Sequence, residues 1–379
     1  MTEHTYFVAC GRGLEPAVVG ELQALGMASV VEERGGASFR GTQRDAYRAC
    51  LWLRSAIRVQ ELLLDASVYD ATDLYDAIAE IDWDRYLTPE QTLAVDATIR
   101  DAPEFSHSGY TALRAKDAIV DQQRERHGTR SSVDTQLPDL PLKLLLQRDR
   151  LRLYRDYAGV SLHKRGYRPV QVKSPLNEAT AAGLLLLSGW DQASPLVDPM
   201  CGSGTFVIEA ALMASDHAPG LLRTFPFEFW VDFDEPTWNE LLDEARARRK
   251  TKLGFALAGA DRHAGAISIA KESAQLARVG ELVSFHVAEA ATWTPPMQPA
   301  FVATNPPYGE RLEHDDDEEL EACWRDLGTF LHERCPGANA WVLSGNKALT
   351  RFLRLRATKR IPVRNGPIEC RWLHYELRP

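Results

Sequence analysis

The order of apolar and polar positions divides the chain into three segments. In the first, Tyr6-Phe7-Val8-Ala9-Cys10 is free of charge and predicts a strand. From Glu15 to Leu25 the apolar residues Val18, Val19, Leu22 and Leu25 fall at helical spacing, and Gly26 ends the helix. Ser29–Glu33 and Ala37–Arg40 flank Gly35-Gly36, a hairpin signal. A helix over Arg44–Leu53 and a strand over Ile57–Leu64 complete the order β-α-β-β-α-β, a ferredoxin-like arrangement.

In the second segment, Thr72–Ile81 predicts a helix and Thr92–Ile99 a strand with Leu93, Val95, Ala97 and Ile99 alternating. Another helix runs from Tyr110 to Arg126 and closes at His127-Gly128. Leu142–Leu146, Leu151–Asp156 and Val160–Lys164 read as strands, the last two turning at Ala158-Gly159. Along Arg150–Asp156, Leu151 and Leu153 are expected to face the core while Arg150, Arg152 and Tyr154 face out. Cations interleaved with an aromatic ring suit RNA phosphates and base stacking, and suit a solvated sheet edge equally well.

The third segment alternates strands and helices. A helix at Leu176–Leu187, a buried strand at Pro195–Asp198, a glycine turn and a helix to Met213 come first. After an interruption at Asp216–Lys252, rich in Phe, Trp and charge, come strand Phe255–Ala260, helix Ala264–Ala277, and strands Leu282–Val287 and Ala300–Thr304. Helix Leu320–Glu333, strand Ala340–Ser344, a short helix from Asn346, and strands Thr358–Val363 and Glu369–Leu377 around Asn365-Gly366 close the chain. This order predicts a doubly wound, mostly parallel sheet with an antiparallel edge, whose sites lie beyond the carboxyl ends of the strands. The expected domains are 1–65, 66–168 and 169–379.

Composition narrows the class. The 379 residues are 45% hydrophobic and 26% charged, ordinary for a soluble globular chain. Apolar runs fall short of the roughly 18 residues needed to span a bilayer. The start MTEHTYFVACGRG reads as no signal peptide, and a cytoplasmic protein is expected. Six scattered cysteines form no C-x-x-C, and ten histidines no metal or triad constellation, so no metal is expected. The net charge of -9 hides an asymmetry: residues 106–173 carry 14 Lys and Arg against 7 Asp and Glu, which leaves -16 on the rest. A basic block in an acidic chain fits a localised phosphate-binding surface, or a solvated face.

The candidate chemistry sits at strand ends of the third segment. In Leu196-Val197-Asp198-Pro199-Met200-Cys201-Gly202-Ser203-Gly204-Thr205, a strand passes through a glycine turn into a helix. Gly202 and Gly204 permit close backbone approach to a ligand at a helix N-terminus, or a purely structural turn. The spacing matches neither a dinucleotide fingerprint nor a P-loop. Asp261, ending the next strand, can accept both hydroxyls of a ribose or cap a helix. Glu289, after the third strand, can accept from an adenine amino group.

The strongest signal is Asn305-Pro306-Pro307-Tyr308 after the buried strand Ala300–Thr304. Two prolines fix the backbone, so that the Asn305 side chain and the Pro306 carbonyl present two acceptors to one planar NH2 while Tyr308 stacks on its ring. Base amines are poor nucleophiles because the lone pair is delocalised. Two acceptors draw the nitrogen toward tetrahedral geometry and free that pair for in-line attack on an electrophilic methyl. Beside this, the acidic run Glu313–Glu321 reads as the opening of a helix, where negative charge suits the dipole. Phe225, Phe227, Phe229, Trp230 and Trp238 read as packing rather than a base-binding platform.

D-P-M-C-G-S-G-T with I-E-A-A after it, N-P-P-Y-G-E-R-L, and N-G-P-I-E-C-R resemble the THUMP-domain RNA guanine-N2 methyltransferases, in particular the RlmL-type N-terminal half of the bacterial large-subunit rRNA enzyme. L-R-A-K-D-A-I-V-D at 113–121, S-S-V-D at 131–134 and S-L-H-K-R-G-Y-R at 161–168 resemble the THUMP region. The resemblance implies a ferredoxin-like plus THUMP α+β module before a Rossmann-like class I methyltransferase domain that uses S-adenosylmethionine. It places Asp198, Met200, Gly202 and Gly204 at the methionine end, Asp261 on the ribose, Glu289 on the adenine, and Asn305, Pro306, Pro307 and Tyr308 on the target amine. Arg114, Lys116, Arg152, Lys164, Arg165 and Arg168 become candidates for RNA contact. A basic residue often stands where this chain has Asn177. N2-methylguanosine in 23S rRNA is the expected product. The same chemistry on tRNA, adenine-N6 methylation, and a non-catalytic RNA-binding role in ribosome assembly are the alternatives.

Overall fold

The computed structural model describes residues 2–105, 107–168, 176–309 and 317–379. Strands β1 (His4–Cys10), β2 (Ala28–Glu33), β3 (Gly36–Gly41) and β4 (Ala56–Ser67), with helices α1 (Glu15–Ala24) and α2 (Gln43–Trp52), form the ferredoxin-like unit. The turn before β3 needs Gly35, whose φ is 85°. The next unit holds α3 (Ala71–Ala79), β5 (Thr92–Arg100), α4 (Ser108–His127), β6 (Ser132–Val133), β7 (Leu140–Gln147) and β8 (Arg150–Asp156). Helix α4 ends as expected at left-handed Gly128.

These two units share one eight-stranded sheet in the order β2-β3-β1-β4-β8-β7-β5-β6. The long strand β4 makes it continuous: its first half pairs with β1 and its second half with β8. A sheet edge that either unit would expose alone is thereby closed by the other.

Three local expectations are corrected here. Residues 160–164 are not a strand. The carbonyls of Ala158, Val160 and Ser161 accept from the Arg223 guanidinium, which satisfies them without a ladder partner. No hairpin therefore turns at Ala158-Gly159, and β8 pairs with β7 across a turn at Arg148, with φ 57°. Tyr154 does not face solvent but is 7% exposed, because β8 is an interior strand of the joined sheet and the Tyr154 ring lies 6.4 Å from that of Phe7 on β1.

The third unit contains α5 (Glu178–Leu187), β9 (Leu196–Asp198), α6 (Thr205–Ala214), α7 (Glu235–Arg248), β10 (Leu257–Asp261), α8 (Ala264–Leu276), β11 (Ser284–Val287), β12 (Phe301–Thr304), α9 (Asp317–Arg334), β13 (Asn339–Ser344), β14 (Lys359–Asn365) and β15 (Ile368–Glu376). Its seven strands run β11-β10-β9-β12-β13-β15-β14, parallel except for antiparallel β15 against β13 and β14. The expected doubly wound sheet with an antiparallel edge is therefore present. The short helix expected from Asn346 is a 3-10 turn at Leu349–Leu353. Strand β9 is buried along its whole length, as a central parallel strand must be.

The 216–252 interruption contains helix α7, which the composition hid, and it joins the units. Phe225, Phe227, Trp230 and Trp238 are at most 4% exposed, whereas Phe229 is exposed. Phe227 stacks on Tyr47 of α2 at 4.5 Å, and Trp230 Nε1 donates to the Asp139 carbonyl at 2.8 Å. Packing, not a base platform, is what these rings do.

Candidate active site

The third sheet reverses direction of build-out at β9, which pairs with β10 on one side and β12 on the other. A crevice opens beyond the strand ends at such a switch point. The three strands deliver Asp198, Asp261 and, one residue past β12, Asn305 to that crevice. The glycine turn and the proline-bracketed corner are therefore neighbours, although 100 residues of sequence lie between them.

Gly202 and Gly204 both adopt left-handed backbone, with φ of 51° and 79°. A Cβ on Gly204 would lie 2.7 Å from the Phe285 ring, so side-chain-free backbone is required there for packing. A Cβ on Gly202 would meet nothing within 4 Å, which leaves open space over the turn at the start of α6. The Asp261 carboxylate accepts from the Gly202 amide and from the His263 amide, both at 2.9 Å. Each oxygen keeps a second lone pair for an outside donor.

Asp198 is 2% exposed and accepts from the Met200 amide at 3.1 Å. Burial pushes its carboxyl up to about 7, opposed by the Thr304 hydroxyl and the Met200 amide and reinforced by the charge of Asp261. Met200 is half-buried, with its sulfur 3.7 Å from Cys323 Sγ on α9. Glu289 is exposed just beyond β11, where its carbonyl anchors the turn to Thr292 and Trp293. Open space, two buried or half-buried acceptor carboxylates and a helix N-terminus suit a zwitterionic nucleoside such as S-adenosylmethionine.

At the corner after β12, Asn305 Oδ1 is shielded from solvent and has no hydrogen-bond partner among the described residues. The Pro307 carbonyl is occupied by the indole N–H of buried Trp324 at 2.8 Å. No described residue donates to the carbonyl of Pro306, itself a buried residue. Two acceptors thus remain for a ligand on one rigid corner. An unsatisfied buried acceptor costs about 1–3 kcal/mol, which an incoming N–H would recover.

Tyr308 is 7% exposed, so little of its ring is left for a base. Its hydroxyl accepts from Asn365 Nδ2 at 3.0 Å and lies 3.9 Å from Cys370 Sγ, and its ring packs on Gly345. These partners come from β14, β15 and the end of β13. Asn365 and Cys370 belong to N-G-P-I-E-C-R, whose likeness to the family carried no role for either residue. Residues 310–312 of N-P-P-Y-G-E-R-L and 313–316 of the acidic run lie outside the described residues, as do 106 and 169–173 of the basic block. Glu319 and Glu321 of that run pair with Arg262 and Arg325.

The cations expected to meet RNA divide sharply. Arg165 is 1% exposed, donating to the Leu162 and Arg54 carbonyls beside Glu209. Arg168 is held by the Leu176 carbonyl, the Thr205 hydroxyl and Glu178. Both tie the segment after β8 to its surroundings, Arg165 beside Glu209 of α6 and Arg168 on Thr205 of α6 and Glu178 of α5, and both are committed to these partners. Arg152 pairs with Asp65 at 3.4 Å, Lys116 with Asp117 at 2.5 Å, and Arg114 covers the Tyr75 ring at 4.5 Å. Lys164 is exposed, with no ion pair among the described residues. Asn177 caps α5 by accepting from the Thr180 amide at 3.1 Å, a structural task.

Among the described residues no helix is long and apolar enough to cross a membrane, and no group of three or more His, Cys, Asp or Glu could hold a metal ion.

Comparison with known proteins gives the same architecture. Residues 5–60 match the RlmL ferredoxin-like domain, 68–156 the THUMP domain, and 165–374 the RMKL-like methyltransferase domain. A Synechocystis sp. protein of provisional assignment as an RNA methyltransferase is 41% identical over 99% of this chain and 97% of its own. The ribosomal RNA large subunit methyltransferase K/L of Syntrophotalea carbinolica is 42% identical over 98% of this chain and 53% of its own length. The chain thus spans about half of that K/L enzyme. Among solved structures, SMU.472, a methyltransferase of provisional assignment in complex with SAH, has a TM-score of 0.90 at 25% identity and covers 100% of this chain and 99% of its own. A Listeria monocytogenes protein described as a predicted N6-adenine-specific DNA methylase has a TM-score of 0.88 at 29% identity, covering 100% and 97%. With more than half its length matched by the catalytic-domain family and a full-length relative at 41% identity, this chain belongs to the RMKL-like methyltransferases, with an RlmL-type ferredoxin-like domain and a THUMP domain ahead of the catalytic domain.

Proposed function

We propose that the protein methylates the exocyclic N2 of a guanosine in large-subunit rRNA, using S-adenosylmethionine. The observation that carries this reading is the buried Asn305 Oδ1, without a partner among the described residues, one strand away from the glycine turn. When bound, S-adenosylmethionine supplies a methyl carbon made electrophilic by its sulfonium. Asp198, Met200, Gly202 and Gly204 would hold the methionine end, Asp261 the ribose hydroxyls and Glu289 the adenine amino group.

Asn305 Oδ1 and the Pro306 carbonyl accept the two N–H protons of the target amine and turn its lone pair out of the ring plane. Attack on the methyl carbon would send the C–S electron pair to the departing sulfur and leave the nitrogen cationic, and that nitrogen would then shed one proton to water past Asn305. No strong base is needed for that loss. Pro306 and Pro307 hold the acceptors still, and Tyr308, fixed by its hydroxyl, forms the wall beside the base. THUMP and the ferredoxin-like unit present RNA with the base unstacked from its neighbours. The division into 1–65, 66–168 and 169–379 fits this assignment of tasks, as does action in the cytoplasm.

A second reading, adenine-N6 methylation, is favoured by the description of the Listeria neighbour and by the suitability of N-P-P-Y for that amine. The test is labelled methyl transfer to total RNA from cells lacking the protein, with rRNA and tRNA separated and digested to nucleosides. Label in N2-methylguanosine of large-subunit rRNA is expected. Label in tRNA would move the substrate, label in N6-methyladenosine would move the base, and no label in RNA would overturn the reading.

A further inference from the structure

A cleft of about 1080 Å³ lies between the ferredoxin-like unit and the antiparallel edge of the catalytic sheet. Arg12, Lys347, Arg356, Arg360, Arg364 and Arg371 line it, against only three carboxylates, Glu15, Glu32 and Glu369. Six cations against three carboxylates leave the lining a formal net charge of +3. Glu15 is committed to the amides of Gly13 and Gly35, and Glu369 reaches Arg364 at 3.8 Å. The other five cations are exposed and have no ion pair among the described residues. In a chain of net charge -9, such a concentration of unpaired cations in one concave surface marks a polyanion site.

Its position supplies the identity of the polyanion. Arg360, Arg364 and Arg371 share one face of the β14–β15 ladder, because Pro362 stands opposite Arg371 and Arg364 opposite Glu369. Gly345 and Cys370 also line the cleft, and these two touch Tyr308. The cleft is thus the far side of the wall that bounds the N-P-P-Y corner. By contrast, the cations singled out in the THUMP region are largely buried or paired. We propose that this cleft binds the phosphate backbone of the RNA strand flanking the target nucleotide, so that the strand is gripped next to the base it surrenders. The proposal rests on the RNA methyltransferase reading above.

The test compares Arg356→Gln/Arg360→Gln/Arg371→Gln with a control of equal charge change on the α7 side, Arg246→Gln/Lys250→Gln/Lys252→Gln. Binding of the full chain to in-vitro transcribed large-subunit rRNA is measured across a salt series, with S-adenosylmethionine affinity and melting temperature as checks on folding. The cleft variant should bind RNA about tenfold or more weakly, with a log–log salt slope lower by about 2 for three single-strand phosphate contacts. The control should match wild type, and both variants should keep cofactor affinity. A cleft variant with the affinity and slope of the control overturns the proposal, even where wild type methylates the RNA. Wild type that binds RNA through the cleft yet transfers no methyl leaves the cleft standing and overturns the activity instead.

Discussion

Asp198 shows how one buried atom group ties stability to ligand binding. Its carboxyl titrates at about 7 in the fold against 3.8 when exposed. A group raised in this way stabilises the fold fully below the unfolded value, and the contribution is lost as pH climbs through the folded one. Over roughly three pH units that amounts to about 4 kcal/mol. The melting temperature of wild type relative to Asp198→Asn should therefore be highest near pH 4 and decline steadily to pH 7. A flat difference would contradict it. If the ionised carboxylate receives the ligand's ammonium, S-adenosylmethionine affinity in wild type should weaken about tenfold per unit below pH 7, and calorimetry across that range would read it. The positions of Asp198, Asp261 and Asn305 were legible because the first two end a strand and the third follows one. The brace on Tyr308 was not: Asn365 lies 57 residues away, and only the sheet order brings it close. Arg165 and Arg168 were misread for a related reason, since charge composition carries no sign of the buried Glu209 and Glu178 that claim them.

At the scale of elements, two connections carry the site. The turn from β9 into α6 depends on left-handed Gly204 packed under Phe285. Gly204→Ala should cost about 1–2 kcal/mol in backbone strain alone and abolish cofactor binding through displacement of the turn. Calorimetric titration would show the loss, and unchanged affinity would contradict it. The second connection is the β14–β15 hairpin, which holds the Tyr308 hydroxyl. Asn365→Ala should lower turnover about tenfold with little change in cofactor affinity, because it loosens the wall beside the base rather than the acceptors. Asn365→Leu, which keeps the bulk but can hold the Tyr308 hydroxyl neither as donor nor as acceptor, should not restore it, whereas full turnover in both variants would remove the bracing role. Strands β9 to β13 were readable as short apolar runs between glycine and proline signals. Residues 160–164 had the same look, but Gly159 and Gly166, with φ of 60° and 97°, break the backbone there, and Arg223 absorbs its carbonyls. Helix α7 went unread because its aromatic surroundings dominate the composition.

The whole molecule is held by the aromatic insertion, a property that no single segment displays. Phe227, fully buried, touches Tyr47 of the ferredoxin-like unit and Trp238 of α7, while Arg155 lies between Glu61 and Asp232 under the Trp230 ring. Phe227→Ala should cost about 3–5 kcal/mol and split a single calorimetric transition into two as the units uncouple. One unshifted transition would contradict the brace. With the units locked, RNA presented by the N-terminal half, as the proposed function has it, would meet a pocket that does not move relative to it. Everything then converges on the corner after β12, and single-turnover methyl transfer by Asn305→Ala on pre-bound RNA tests it most directly. The account predicts a rate at least a hundredfold lower, about 2.7 kcal/mol, with RNA and S-adenosylmethionine affinities within twofold of wild type. Transfer at the wild-type rate with both ligands bound would contradict it.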